Sequence, residues 1–199
     1  MELWLVRHGE TAKNREGVWQ GQLDIPLSPE GQIQAKRLAA RLGRLGLRFD
    51  GLFSSDLARA RETARVLGEA LGLEAKEDPR LRELCVGALA GKPREEVFST
   101  YAEVLQKTRT DPWQTPLPGG ESLSNLKARL LDFLAELPEG RFLVVTHAGV
   151  IRVAVWVALG LEAGQPWRLR IPNASLTRVL LPEGQAGPIG DAAHLEEGG

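Results

Sequence analysis

Two rhythms of apolar residues alternate along this chain. Short runs predict strands at residues 1–7, 51–54 and 141–146, with a brief strand at 74–77 and a last one at 176–181, closed by Pro182. Between them, apolar positions fall three and four apart. Ala35, Leu38, Ala39 and Leu42 mark a helix over 32–45, led in by Pro29-Glu30-Gly31 and ended by Gly46. Leu57, Ala60, Ala64, Leu67 and Leu71 mark another over 56–71, with Asp56 placed either to cap it or to sit favourably near its positive end. Val97, Phe98, Tyr101, Val104 and Leu105 predict one amphipathic helix over 95–107, followed by a Thr-, Pro- and Gly-rich loop at 108–120. Further helices are expected at 122–137 and, wholly buried, at 150–159. Strands alternating with helices predict an α/β fold, a three-layer α/β/α sandwich around a mostly parallel central sheet. No repeat or linker divides the chain, so a single domain over 1–199 is expected. Within it, residues 92–122 read as a lid-like insertion over the carboxyl edge of the sheet, and 183–199 as a Gly-rich acidic tail.

Composition narrows the function classes. The 199 residues are 43% hydrophobic with a net charge of −1, which gives no general attraction for nucleic acid or a membrane surface. Any anion selectivity must come from locally placed arginines. Cys85 is the single cysteine, so no internal disulfide is available and a reducing compartment is expected. Residues 1–20 lack a signal pattern and no run is long enough to span a bilayer, so the expected location is cytoplasmic. No His/Cys/Asp cluster has metal-ligand spacing, so neither metal nor cofactor is expected. Base rates alone favour a homodimer.

The chemistry concentrates at strand ends. The first strand ends on Arg7-His8-Gly9, which delivers a cation and an imidazole where α/β sheets bind ligands. A planar guanidinium can hold two phosphate oxygens, and a neutral imidazole can attack phosphorus. Gly9 allows a sharp turn and a close approach by a ligand. His147 follows the most apolar strand and would lie beside His8 if the two strands are neighbours.

Six ordered segments resemble the motifs of the histidine phosphatase superfamily, which includes cofactor-dependent phosphoglycerate mutases and many phosphomonoesterases. They are Arg7-His8-Gly9-Glu10-Thr11 with Asn14, and Gln20-Gly21 with Asp24 to Ser28 and Gly31. Ser54 to Ala64, Leu81-Arg82-Glu83-Leu84 with Gly87 and Gly91, Gly119-Gly120-Glu121-Ser122 and Val145 to Gly149 complete the set. The resemblance implies a catalytic set of His8 as nucleophile, Arg7, Arg59 and His147 around the phosphoryl group, and Glu83 as general acid. It implies substrate contacts from Asn14, Gln20, Gly21 and the backbone N–H of Ala148. His147 would donate to the phosphoryl oxygens, most effectively as imidazolium, and Thr11, Ser54, Ser55 and Thr146 would support these groups. Ala90, Cys85 and Val86 depart from the family pattern near Glu83. Glu83 could instead pair with Arg80 or Arg82. Asp191 to Leu195 resembles a tail segment of some family phosphatases, which would bring the tail near the site.

The implied activity is hydrolysis of a small phosphate monoester, in the branch that includes enzymes acting on α-ribazole phosphate. The alternative is a phosphoglycerate mutase. Family mutases carry a longer basic insertion than residues 92–122, whose cations are Lys92, Arg94, Lys107 and Arg109. That difference points to a bulkier or less anionic substrate, with Trp19 or Trp113 as its apolar contact unless either is core. A non-catalytic phosphate-binding module would have lost His8 or Glu83, and both are present.

Overall fold

The computed structural model describes residues 1–196; the last three positions of the expected tail, 197–199, lie outside the described residues. Four strands run parallel: β1 (Glu2–Arg7), β2 (Gly51–Ser54), β3 (Ala75–Glu77) and β4 (Arg141–Thr146). Two return antiparallel, β5 (Leu176–Leu180) and β6 (Gln185–Ala186). The sheet order is β3-β2-β4-β1-β5-β6. β1 and β4 are neighbours, with Arg7 opposite Thr146, so His8 and His147 leave the sheet side by side.

Alternation along the strands assigns the faces. On one face Val6, Leu143 and Val145 pack with Leu38 and Leu42 of α2 (Pro29–Leu45) and Ala60, Ala64 and Leu67 of α3 (Ala58–Leu71). On the other, Leu3, Leu5 and Val144 pack with α6 (Leu123–Ala135) and α7 (Ala148–Ala158). The expected three layers are therefore present. A four-residue helix, α1 (Ala12–Arg15), starts from a Thr11–Asn14 capping box.

Three local expectations change. Residues 95–107 do not form one helix but two, α4 (Arg94–Thr100) and α5 (Ala102–Thr110), meeting at Tyr101. Ser99-Thr100-Tyr101 is a run of weak helix formers, and only Val97 and Leu105 are buried to hold the pair down. Asp56 does not cap α3. It is committed to Arg82, and Asp24 Oδ1 instead accepts the Ala58 N–H at 2.6 Å. The tail does fold back, but onto α2: Asp191 pairs with Arg41, Leu195 O accepts from Arg37, and His194 is buried.

Gly9 is required for a reason other than ligand approach. A β-carbon there would lie 2.5 Å from Gly31 O, and one on Gly31 would lie 2.1 Å from Glu10 O. The His8 turn and the start of α2 touch backbone to backbone, and only glycine permits it.

Candidate active site

The expected site residues converge at the carboxyl edge of the parallel strands. Arg7, His8, Asn14, Gln20, Gly21, Arg59 and Glu83 line one cavity of about 1050 Å³. His147 sits fully buried behind His8, ring centroids 5.1 Å apart. Ala148 opens α7 but is not part of the cavity wall, where Gly149 stands instead.

His8 Nδ1 lies 2.7 Å from Gly9 O. A carbonyl only accepts, so Nδ1 carries the proton and Nε2 presents the lone pair. Burial and the guanidinium charges of Arg59 and Arg7 hold the His8 pKa well below the usual histidine range. The imidazole is therefore neutral and competent as a nucleophile at neutral pH.

Arg59 is nearly inaccessible despite its place in the first turn of α3. Its Nη1 and Nη2 donate to Leu23 O (2.6 Å) and Gly21 O (2.7 Å). Arg7 Nη1 donates to Ile171 O at 2.7 Å. Burial lowers the Arg7 pKa to about 10, which still leaves it charged at neutral pH. Arg7 Nε, Arg59 Nε and His147 Nδ1 are buried with no hydrogen-bond partner in the protein. Buried polar nitrogens rarely lack partners. Three side chains that act on His8, two through their charge and one through ring contact, thus keep a nitrogen that a bound anion could engage.

His147 Nε2 is held by Ser55 Oγ at 2.9 Å, which leaves Nδ1 for a ligand. The expected imidazolium is not what this environment favours. Burial, then the charges of Arg59, His8, Arg7 and Arg129, lower the His147 pKa well below its usual value. A bound phosphoryl group would supply the negative charge that favours protonation.

Glu83 reaches the site because its neighbours are otherwise engaged. Arg82 holds Asp56, and Arg80 holds Asp78 and Glu136. The Glu83 carboxylate instead accepts from Leu84 N (2.8 Å) and Gly149 N (3.1 Å). Its backbone carbonyl accepts from Gln22 Nε2 and Arg129 Nη2. Arg129 also pairs with Glu121, whose carboxylate accepts the Cys85 N–H. The Gly-Gly-Glu segment is thus a buttress for the Glu83 loop. A β-carbon on Gly120 would meet Cys85 O at 2.3 Å.

Asn14 Oδ1 accepts from Thr11 N, leaving its amide nitrogen to the cavity. Gln20 Oε1 accepts from Thr11 Oγ1, and Thr146 Oγ1 donates to Leu81 O. Trp19 lines the cavity, whereas Trp113 is core and donates to Gly164 O. Sequence reasoning missed Gly149, Arg152 and Asn173 on the wall. Arg152 stands five residues after His147 on an otherwise apolar helix, a signal that could have been read. Asn173 stands before a strand whose direction the sequence does not reveal. Among the described residues, no group of three metal-binding side chains is placed to hold an ion.

Two measurements test this geometry. A β-carbon on Gly149 would lie 2.2 Å from Glu83 Oε1. Gly149→Ala is therefore expected to fold, since the carboxylate can swing aside and alanine favours the helix, but to displace Glu83. Turnover should fall roughly 10- to 100-fold, more for poor leaving groups than for p-nitrophenyl phosphate. Equal losses on both would separate Glu83 from leaving-group protonation.

Both site histidines have folded pKa values below the unfolded value of about 6.5. Below that pH the unfolded chain takes up protons that the fold refuses, so stability is level above and falls as pH drops through the window beneath it. The urea midpoint should decline from pH 7 to pH 5, before most carboxylates titrate. The His8→Asn/His147→Asn double variant should flatten that decline. An unchanged wild-type midpoint over this range would refute it.

The fold and site define an α/β protein with a neutral imidazole and two buried guanidinium groups gathered at one cavity. The chain belongs to the histidine phosphatase superfamily (branch 1), whose profile matches residues 3–187. It is 36% identical over 98% of its length, and 95% of the relative's, to the probable phosphoglycerate mutase GpmB of Escherichia fergusonii. Among solved structures, it is similar to a candidate alpha-ribazole-5'-P phosphatase from Escherichia coli. That likeness has a TM-score of 0.82 at 28% identity, covering 95% of each chain. It is also similar to a mycobacterial glucosyl-3-phosphoglycerate phosphatase, with a TM-score of 0.79 at 33% identity, covering 89% of this chain and 91% of that one.

Proposed function

We propose that this protein is a phosphatase that hydrolyses a small phosphate monoester through a phosphohistidine on His8. The observation that carries the reading is an imidazole locked with its Nε2 lone pair available, beside three side chains, Arg7, Arg59 and His147, that each keep a buried nitrogen without a partner. In the first step Nε2 attacks phosphorus, the bond to the alcohol oxygen breaks, and that oxygen takes a proton from the Glu83 carboxyl. The guanidinium groups and His147 stabilise the charge on the transferring group. In the second step a water attacks the phosphohistidine, Glu83 as carboxylate takes its proton, and phosphate leaves. No step uses a metal ion. Asn14 contacts the phosphoryl group, while Gln20, Gly21 and Trp19 face the rest of the substrate. α4 and α5 act as a lid through Arg94, Phe98, Leu105, Thr108 and Arg109. A single domain acting in the cytoplasm, as a monomer or homodimer, suits this role.

One observation favours the mutase as a second reading. Beyond Arg7 and Arg59, the cavity is lined by Arg94, Arg109, Arg152 and Arg168, and Glu83 is the one carboxylate on its wall among the described residues. That is more cationic than the insertion sequence led us to expect. It suits a leaving group with its own negative charge, as a phosphoglycerate has. Phosphorus NMR with 3-phosphoglycerate, with and without 2,3-bisphosphoglycerate, alongside other monoesters, separates the two. Inorganic phosphate released without 2-phosphoglycerate supports the phosphatase. Rapid, primer-dependent 2-phosphoglycerate formation overturns it.

A further inference from the structure

A segment outside every motif described above grips the nucleophile. β5 runs antiparallel to β1, so the residues before it lie at the edge where β1 ends. Ile171 O accepts from Arg7 Nη1, and Ser175 O accepts the Arg7 backbone N–H. Residues 172–175 form a tight turn closed by Ser175 N donating to Pro172 O. Ala174 occupies its third position with φ of +51°, a left-handed conformation that a residue with a β-carbon adopts only at a cost. In return, its N–H donates to His8 O at 3.1 Å.

Within this turn the Asn173 side chain makes the wider set of contacts. Its Nδ2 lies 3.1 Å from His8 O, 3.3 Å from Gly9 O and 3.2 Å from Asn14 Oδ1. All three are acceptors, and the two Nδ2 hydrogens are shared among them. Asn14 Oδ1 is identified as oxygen by the Thr11 N–H it receives, so the nitrogen end of Asn173 is assigned by chemistry. Gly9 O is also the carbonyl that holds His8 Nδ1–H. One amide therefore ties together the backbone of the nucleophile, the group that locks its tautomer and the asparagine facing the phosphoryl position.

We propose that Asn173 is a positioning residue that orients His8 and Asn14 through the Gly9 carbonyl and the Asn14 amide. The proposal rests on His8 being the nucleophile, and it deepens that reading by adding the group that aims it. A polar contact that holds an attacking atom in line influences kcat, since a misplacement near 1 Å can cost about 10²-fold.

The test compares Asn173→Ala with Asn173→Asp, which keeps the volume but loses the donors. For each, kcat and KM are measured on p-nitrophenyl phosphate, with thermal melting and nitrogen NMR of histidine-labelled enzyme. The expected result is a kcat about 10²-fold lower, KM within about threefold of wild type, melting nearly unchanged, and His8 passing from one Nδ1–H tautomer to a mixture. Should the alanine variant fail to fold, the aspartate variant alone is expected to show the kcat loss. Activity within about threefold of wild type in both variants would overturn the proposal. So would a KM rise with kcat held, which would make Asn173 a substrate contact, or losses that merely track unfolded protein in both. The tautomer signal needs no substrate. If His8→Ala still turned over, the phosphohistidine reading would fail, whereas an unmoved tautomer with His8 essential would sink this proposal alone.

Discussion

His8→Ala is expected to abolish turnover, lowering kcat by at least about four orders of magnitude. The reason is covalent. Without Nε2 the phosphoryl group has nothing to transfer to, and the donors around it can only bind the substrate. The fold should survive, because the ring's own hydrogen bond is to the adjacent Gly9 carbonyl and leaves no remote partner stranded. Melting should stay within a few degrees of wild type. Acid-quenched wild-type enzyme should carry a phosphorus signal typical of phosphohistidine, and the variant none. A variant retaining more than about a hundredth of wild-type activity would remove His8 as nucleophile.

Arg59→Met should produce the second largest loss, about 10³-fold in kcat/KM. Methionine fills most of the volume but returns no charge to the phosphoryl position. The folded state loses two donors to Gly21 O and Leu23 O, which costs about 1–3 kcal/mol. It also no longer carries a buried cation close to Arg7, which offsets part of that cost. A second readout separates binding from folding. Inorganic phosphate should raise the melting temperature of wild type through linkage and leave the variant almost unmoved. A variant that kept both the phosphate shift and kcat/KM within tenfold of wild type would make Arg59 a structural residue only.

Much of the architecture was legible because its signals are local. A period of 3.6 identified the helices that cover the sheet, and Gly46 ends α2 as expected, whereas the lead-in residues Pro29 to Gly31 are already helical because Ser28 caps them. The 95–107 helix misled because its apolar stripe looked continuous. Phe98 in that stripe faces the cavity mouth rather than the core. Asp56 misled because a capping residue type stood in a capping position, while a guanidinium 26 residues away competed for it and won.

The sequence by itself determined the chemistry: an arginine and a histidine at the end of one strand, a histidine at the end of another, and a glutamate between them in the chain. Such placements follow from where apolar runs stop, which neighbouring residues decide. Only the tertiary structure decided how these groups are aimed. The order β2-β4-β1 sets the two imidazoles side by side. The antiparallel return of β5 delivers Asn173 to the carbonyls of His8 and Gly9. Gly149 leaves the space that the Glu83 carboxylate fills. Each depends on pairing between residues far apart in the chain. The free energy of such pairing belongs to the packed whole rather than to any segment that can be read alone.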